Sequence, residues 1–184
     1  MANIGRSIYR QIERSARQQS VYGQMQAEAA ARPESRQVRT SWGDVWMSPI
    51  EVQLYEALVR KQLAPIPQYR IQGYYVDFAF PDVALAVEAD GAAFHSGERH
   101  ASDRKRDWIL RRAGWTVQRF HGTTIYHKAD NCAFVVKREI ERRRAWAVER
   151  ARQEELRRQA RRDAMVRPFR ALARWLGFGK REGP

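Results

Sequence analysis

One cysteine, Cys132, stands in a chain of 184 residues, so no internal disulfide is possible and no spaced cysteine set is present to hold a structural zinc. Long apolar runs are missing too. No stretch approaches the roughly 18 apolar residues of a membrane span, and the N-terminal residues lack the apolar centre of a secretory signal. A reducing cytoplasm is the expected compartment, with delivery elsewhere left open. Acids are scarce towards the C-terminus: residues 141–184 hold 14 basic side chains against 6 acidic ones, +8 of the chain's +13. A surplus of that size points to a polyanionic partner, nucleic acid ahead of acidic membrane.

What is present divides the chain in three. Residues 1–47 are polar and read as a partly helical N-terminal extension: a weak helix, a break at Pro33-Glu34-Ser35, and a mobile lead-in. Residues 48–140 are nearly neutral, with 13 basic and 11 acidic side chains, and rich in apolar and aromatic residues. They are able to bury one core. Residues 141–184 read as an arginine-rich helical tail.

Within the middle part, Ser48-Pro49-Ile50-Glu51 predicts a helix start, with Ser48 as cap, Pro49 in the first turn and Glu51 completing a capping box. Ile50, Leu54, Ala57 and Leu58 mark one face, and Pro65 and Pro67 end the helix. Tyr69 to Phe80 reads as a hairpin turning at Gly73. After a Pro81-Asp82 turn, Val83-Ala84-Leu85-Ala86-Val87-Glu88 reads as a buried central strand. Ser102 to Ala113 is an expected helix, capped by Ser102 and stopped by Gly114, and Trp115 to Phe120 a third core strand. A last helix is expected from about Asp130 through Arg162, broken by Pro168 ahead of a short basic amphipathic piece ending at Phe178. A helix between neighbouring strands implies a parallel crossover and an α/β fold.

Three acids lie at the ends of apolar strands: Asp77, Glu88 and Asp90. An unpaired ionised carboxylate costs several kcal/mol to bury, so these acids call for a cation or a hydrogen-bond network. Two carboxylates and a backbone carbonyl such as that of Ala89 suffice for magnesium, which keeps several waters. Glu88 and Asp90, two apart, project to the same strand face. The competing interpretation is a plain Asp90-Gly91 turn with Glu88 as an edge residue paired to arginine. His95 follows in a loop as a candidate proton donor or phosphate contact, against the ordinary solvated loop histidine.

In chain order, Ser48-Pro49-Ile50-Glu51, Tyr75-Val76-Asp77-Phe78, Ala86-Val87-Glu88-Ala89-Asp90-Gly91 with His95, Asp103 with Arg106, and Gly114-Trp115-Thr116-Val117-Gln118-Arg119-Phe120 resemble the endonuclease-like domains related to very-short-patch-repair (Vsr) endonucleases. These belong to the PD-(D/E)XK restriction-endonuclease-like group, and the resemblance covers about residues 48–140. It implies a mixed sheet flanked by helices, a bacterial cytoplasmic setting, and metal-dependent hydrolysis of DNA. It further implies Asp77 and Glu88 as ligands of Mg²⁺, or Mn²⁺ in its place, Glu51 reaching a water or second metal position, and His95 as a catalytic or phosphate-contacting group. Where the group usually carries Glu-x-Lys, this chain has Glu88-Ala89-Asp90. Asp90 can act as a base or bind metal, but the missing positive charge must come from Lys105, Arg106 or His95. The structural zinc of the repair enzymes does not carry over, because the cysteines are absent.

The expected DNA-binding set is Asp103, Arg106 and Arg119 with Arg142, Arg143, Arg144, Arg157 and Arg158 of the tail, since arginine favours forked phosphate contacts. A solvated helix whose Glu149, Glu154 and Glu155 pair with arginines one turn away is the alternative. Trp42, Trp46 and Trp146 are expected to pack against the flanks rather than stack on bases. Two functions follow: a DNA endonuclease, or a catalytically degenerate DNA-binding module on the same fold. Substrate preference, nicking against double-strand cutting, and oligomeric state stay open.

Overall fold

The computed structural model describes residues 19–90 and 97–176, with backbone alone for 97–103, 171 and 173–175. Residues 19–30 form helix α1. There follow β1 (Arg36–Thr40), β2 (Gly43–Met47), α2 (Pro49–Arg60), β3 (Ile66–Ile71), β4 (Tyr74–Phe80), β5 (Leu85–Asp90), α3 (Gly97–Arg112), β6 (Thr116–His121) and α4 (Gly122–Trp175). The chain divides into two compact units, Met1–Ile140 and Glu141–Pro184. The first holds a four-stranded mixed sheet in the order β3-β4-β5-β6, antiparallel except for the parallel β5–β6 pair, and a separate β1–β2 hairpin.

Local chemistry sets the joints. Glu51 Oε2 accepts the Ser48 N–H at 2.6 Å, the capping-box contact expected from the sequence. α2 ends in a Schellman motif: Gln62, at φ 61°, donates to Val59 O at 2.8 Å and Leu63 to Leu58 O at 3.1 Å. The β3–β4 hairpin closes between Ile71 and Tyr74 through Gln72 and Gly73, at φ 49° and 94°, the two positive values of a type I′ turn. Gly114, at φ 85°, ends α3 in the same way as Gln62 ends α2, with Trp115 N–H on Leu110 O at 3.0 Å. The chain turns back there, and Thr116 N–H meets Ala84 O at 3.0 Å to start the parallel pairing of β6.

Apolar residues cover both sheet faces. On one side Phe78, Phe80, Leu85, Val87 and Phe120 pack with Leu54, Leu58, Ile125 and Val136 of α2 and α4; on the other, Ile71, Val76, Ala79 and Ala86 pack with Leu110 of α3. β5, interior and covered on both faces, reads as a continuous apolar run for that reason.

Several boundaries differ from the sequence expectation. The lead-in before Ser48 is a β-hairpin whose Val45 and Met47 enter the same core as α2, because Val38, Val45 and Met47 supply an apolar edge that polar neighbours masked. The central strand begins at Leu85, after a single 3₁₀ turn (Pro81–Val83) and Ala84 in the left-handed region. α3 begins at Gly97, so Ser102 lies inside it rather than capping it. α4 starts at Gly122, earlier than Asp130, and passes a non-helical Lys128 (φ −145°, ψ 41°). Pro168 does not break it: the helix continues to Trp175, on an exposed stretch where water can satisfy the carbonyl that proline leaves unpaired. Trp42 and Trp146 are exposed rather than packed against a flank, and Arg150 stacks on the Trp146 ring at 4.8 Å.

Candidate active site

Asp77 sits where the side-chain alternation of β4 changes phase: Val76 and Ala79 belong to the α3 side of the sheet, Phe78 and Phe80 to the other. Opposite it the β3–β4 ladder skips a pair, running from Pro67↔Phe78 to Tyr69↔Val76, and the intervening Gln68 is held at φ 47°. That strained conformation persists because Gln68 is tied on both sides, accepting from Gln26 of α1 at 2.6 Å and donating to Trp46 O at 3.3 Å. Asp77 is half-buried and its Oδ2 accepts the Ala89 N–H of β5 at 2.7 Å. Burial first, then the Glu51 charge, then that of Glu88, push the Asp77 carboxyl from 3.8 up to about 8, against the Ala89 hydrogen bond and the Arg106 charge.

Asp77 and Glu51 open into one cavity of about 190 Å³, whose wall also includes Glu28 and Arg32 from α1 and its following turn, Trp46 and Tyr75. Glu28, Arg32 and Trp46 come from the stretch before Ser48 that reads as an extension in the sequence.

Glu88 lies on the α3 face of the sheet and is 6% exposed. β5 and β6 pair Glu88 with Arg119, whose Nε donates to Glu88 Oε2 at 2.7 Å. Arg119 also grips Asp107 of α3, with Nη1 on Oδ2 at 2.9 Å and Nη2 on Oδ1. This hydrogen bonding holds Asp107 below the usual carboxylate range and Arg119 firmly protonated. Arg106 forms an ion pair with Glu88 Oε1 and donates to Tyr75 O at 2.6 Å. Glu88 Oε1 is in charge contact with Arg106 yet has no hydrogen bond of good geometry among the described residues. The arginine pairing weighed in the sequence is therefore present, but on an interior strand rather than an edge.

Asp90 stands at the C-terminal end of β5 in register with His121 of β6, with Nδ1 3.9 Å from Asp90 Oδ2, a separation longer than a hydrogen bond. His95 lies outside the described residues, and the Asp103 side chain does too. Arg142, Arg143, Arg144, Arg157 and Arg158 belong to the second unit, where Arg157 and Arg158 are exposed. The fold thus brings Glu51, Asp77 and Glu88 into one electrostatic neighbourhood and joins Glu88 to Arg106 and Arg119. Asp107, His121 and Arg32 escaped the sequence reading. Asp107 directly follows Arg106, and His121 ends a strand beside Asp90's strand, so spacing offered a signal for these two. Arg32 carried none.

The donors suit a hard divalent ion in kind: the Asp77 carboxyl, raised by burial and by neighbouring carboxylates, and the buried Glu88 Oε1, which has charge contact with Arg106 but no hydrogen bond among the described residues. Among the described residues, no group of three or more His, Cys, Asp or Glu side chains is arranged to hold a metal. In this arrangement the positive charge beside Glu88 is provided by Arg106 and Arg119.

The likeness of this chain to known proteins is to an endonuclease-like domain of the restriction-endonuclease-like class. Residues 50–140 match the family REase_MTES_1575. The catalytic domain of the homing endonuclease I-Bth0305I is similar over 53% of this chain and 94% of its own, at 19% identity and a TM-score of 0.40. No curated protein matches the chain. The narrower kinship to Vsr endonucleases rests on sequence motifs alone.

Proposed function

We propose that the endonuclease-like domain hydrolyses DNA phosphodiester bonds with a divalent cation, Mg²⁺ or Mn²⁺, held by Asp77 and Glu88. The observation that carries this reading is the meeting of Glu51 and Asp77 in one cavity, where burial first and then the charges of Glu51 and Glu88 raise the Asp77 carboxyl to about 8. A divalent cation bound there would relieve that repulsion, activate a water and neutralise charge building on the phosphate.

The chain's own residues do the rest. Glu51 spends one oxygen on its helix cap and keeps the other as an acceptor for a water in the cavity. Arg32, on the same wall, supplies a forked cation for a phosphate oxygen and so meets the need left by the missing lysine. Arg106 and Arg119 neutralise Glu88 in the free protein; DNA phosphates that draw these guanidiniums away release a carboxylate oxygen. Asp90 and His121, at the carboxyl ends of parallel strands where ligands of α/β sheets commonly bind, form an acid–imidazole couple for proton movement. His95 enters on its motif position as the group that assists the leaving oxygen. Arg142, Arg143, Arg144, Arg157 and Arg158 of the second unit bind the DNA backbone. Asp103 is kept in the DNA-binding set with Arg106 on its motif position alone.

Plasmid nicking with Mg²⁺ tests this directly: the wild type should cut and Asp77→Ala should not. Equal activity in both would falsify the proposal. A second reading, a degenerate DNA-binding module, is favoured by the two arginines on Glu88 and by the absence of a three-ligand group among the described residues. It predicts salt-sensitive DNA binding without nicking, unchanged by Asp77→Ala.

A further inference from the structure

The outward side of α3 is not used by the carboxylate centre. Arg104, Lys105, Trp108, Arg111 and Arg112 are all exposed, and their spacing (i, i+1, i+4, i+7, i+8) sets them on one face of the helix. The other side is occupied: Leu110 is fully buried against the sheet, Arg106 reaches Glu88 and Tyr75 O, and Asp107 holds Arg119. The outward face from 104 to 112 carries four cations and no acid. At its centre Trp108 is 59% exposed, an unusual position for an indole. Arg112, one turn on, lies 5.2 Å from the Trp108 ring centroid, a cation–π contact that orients the ring on its helix.

We propose that this face is a stacking platform for an unpaired nucleobase, with Arg104, Lys105, Arg111 and Arg112 on the phosphates that flank it. The ligand is a DNA strand with exposed bases, whether single-stranded or locally opened. Charge alone would suit any polyanion, but the indole narrows the choice. Within an intact duplex each base face is covered by its neighbours, whereas an open strand offers a π-face to the ring while its phosphates meet the cations. An anionic lipid surface would ask for further apolar side chains around the indole, and its exposed neighbours on this face are all charged. The inner side of the same helix holds Glu88, so a strand on the platform lies against the element that frames the acid centre. This deepens the nuclease reading and rests on it for the choice of DNA, naming the substrate as one with unpaired bases.

The test is fluorescence anisotropy of the full-length protein, in EDTA so that binding is read without cleavage, with a labelled single-stranded oligonucleotide and with the blunt duplex of the same sequence. Trp108→Ala should weaken single-strand binding about tenfold while changing duplex binding by less than about twofold, and Trp108→Tyr should restore most of the loss. An unchanged thermal midpoint in both variants verifies folding. Equal loss on both DNAs, no loss on the single strand, or no binding of either DNA by the wild type overturns the platform. Nicking assays with Asp77→Ala separate the two ideas. Trp108-dependent binding in a protein that never nicks leaves the platform standing and the nuclease reading fallen. Asp77-dependent nicking with binding indifferent to Trp108→Ala does the reverse.

Discussion

Glu88 and Arg119 face each other across the parallel β5–β6 pair, and the guanidinium that meets Glu88 at 2.7 Å is simultaneously clamped by Asp107 of α3. One buried acid thereby ties two strands and a helix together. Glu88→Gln leaves Arg106 without its carboxylate and Arg119 with Asp107 alone, so a loss of about 1–3 kcal/mol is expected in urea unfolding. The loss stays below that of a fully buried pair because both arginines keep partial access to water. Nicking should vanish in the same variant. Wild-type stability together with wild-type nicking would mean that Glu88 neither organises the site nor serves it.

Asp77 provides a pH signature. Its folded-state value of about 8 lies above the unfolded one, so between about pH 4 and 8 the folded metal-free protein holds a proton that the unfolded chain has released. Stability should therefore fall as pH rises through that window, and Asp77→Asn should flatten the slope. Mg²⁺ should bind more tightly as pH rises towards 8 and release protons as it binds. Calorimetry in buffers of different ionisation enthalpy reads that release, and a metal affinity flat with pH would rule out Asp77 as the ligand.

The hairpin turn offers a stabilising change. Gln72 sits at φ 49°, where asparagine is more at ease than glutamine. Gln72→Asn should raise stability by roughly 0.5 kcal/mol, read as a higher urea midpoint with an unchanged m-value. A lower midpoint would show that the Gln72 side chain matters more than its backbone.

For the tail, replacing Arg157, Arg158, Arg161 and Arg162 together by glutamine should shallow the plot of log affinity against log salt. Each lost phosphate contact reduces the slope by about 0.9. Base preference should not move, because phosphate contacts position rather than specify. A slope identical to wild type would assign this stretch to the alternative of a solvated, self-paired helix.

Glu51 and the apolar stripe of α2, the Gln72-Gly73 turn, the central strand and the Gly114 stop were legible in the sequence, because each is decided by neighbours a few positions away. Asp77, Glu88 and Asp90 stood out in the sequence because acids within apolar runs violate the pattern around them, but they were expected at strand ends, whereas Asp77 lies in the middle of β4 and Glu88 inside β5, with only Asp90 at an end. The hairpin Arg36–Met47 was not, because its core-facing Val45 and Met47 are too few to overcome the polar composition around them.

The sequence by itself determined the alternation of elements after Ser48 and the mixed α/β class, both of which follow from local periodicity and end signals. Tertiary structure alone decided the partners: Gln68 opposite Asp77, Arg119 opposite Glu88, His121 beside Asp90, Arg32 in the same cavity lining as Glu51. Such pairings depend on the register between strands and on which helix covers which face. Residues distant in the chain settle both only when they bury a common core.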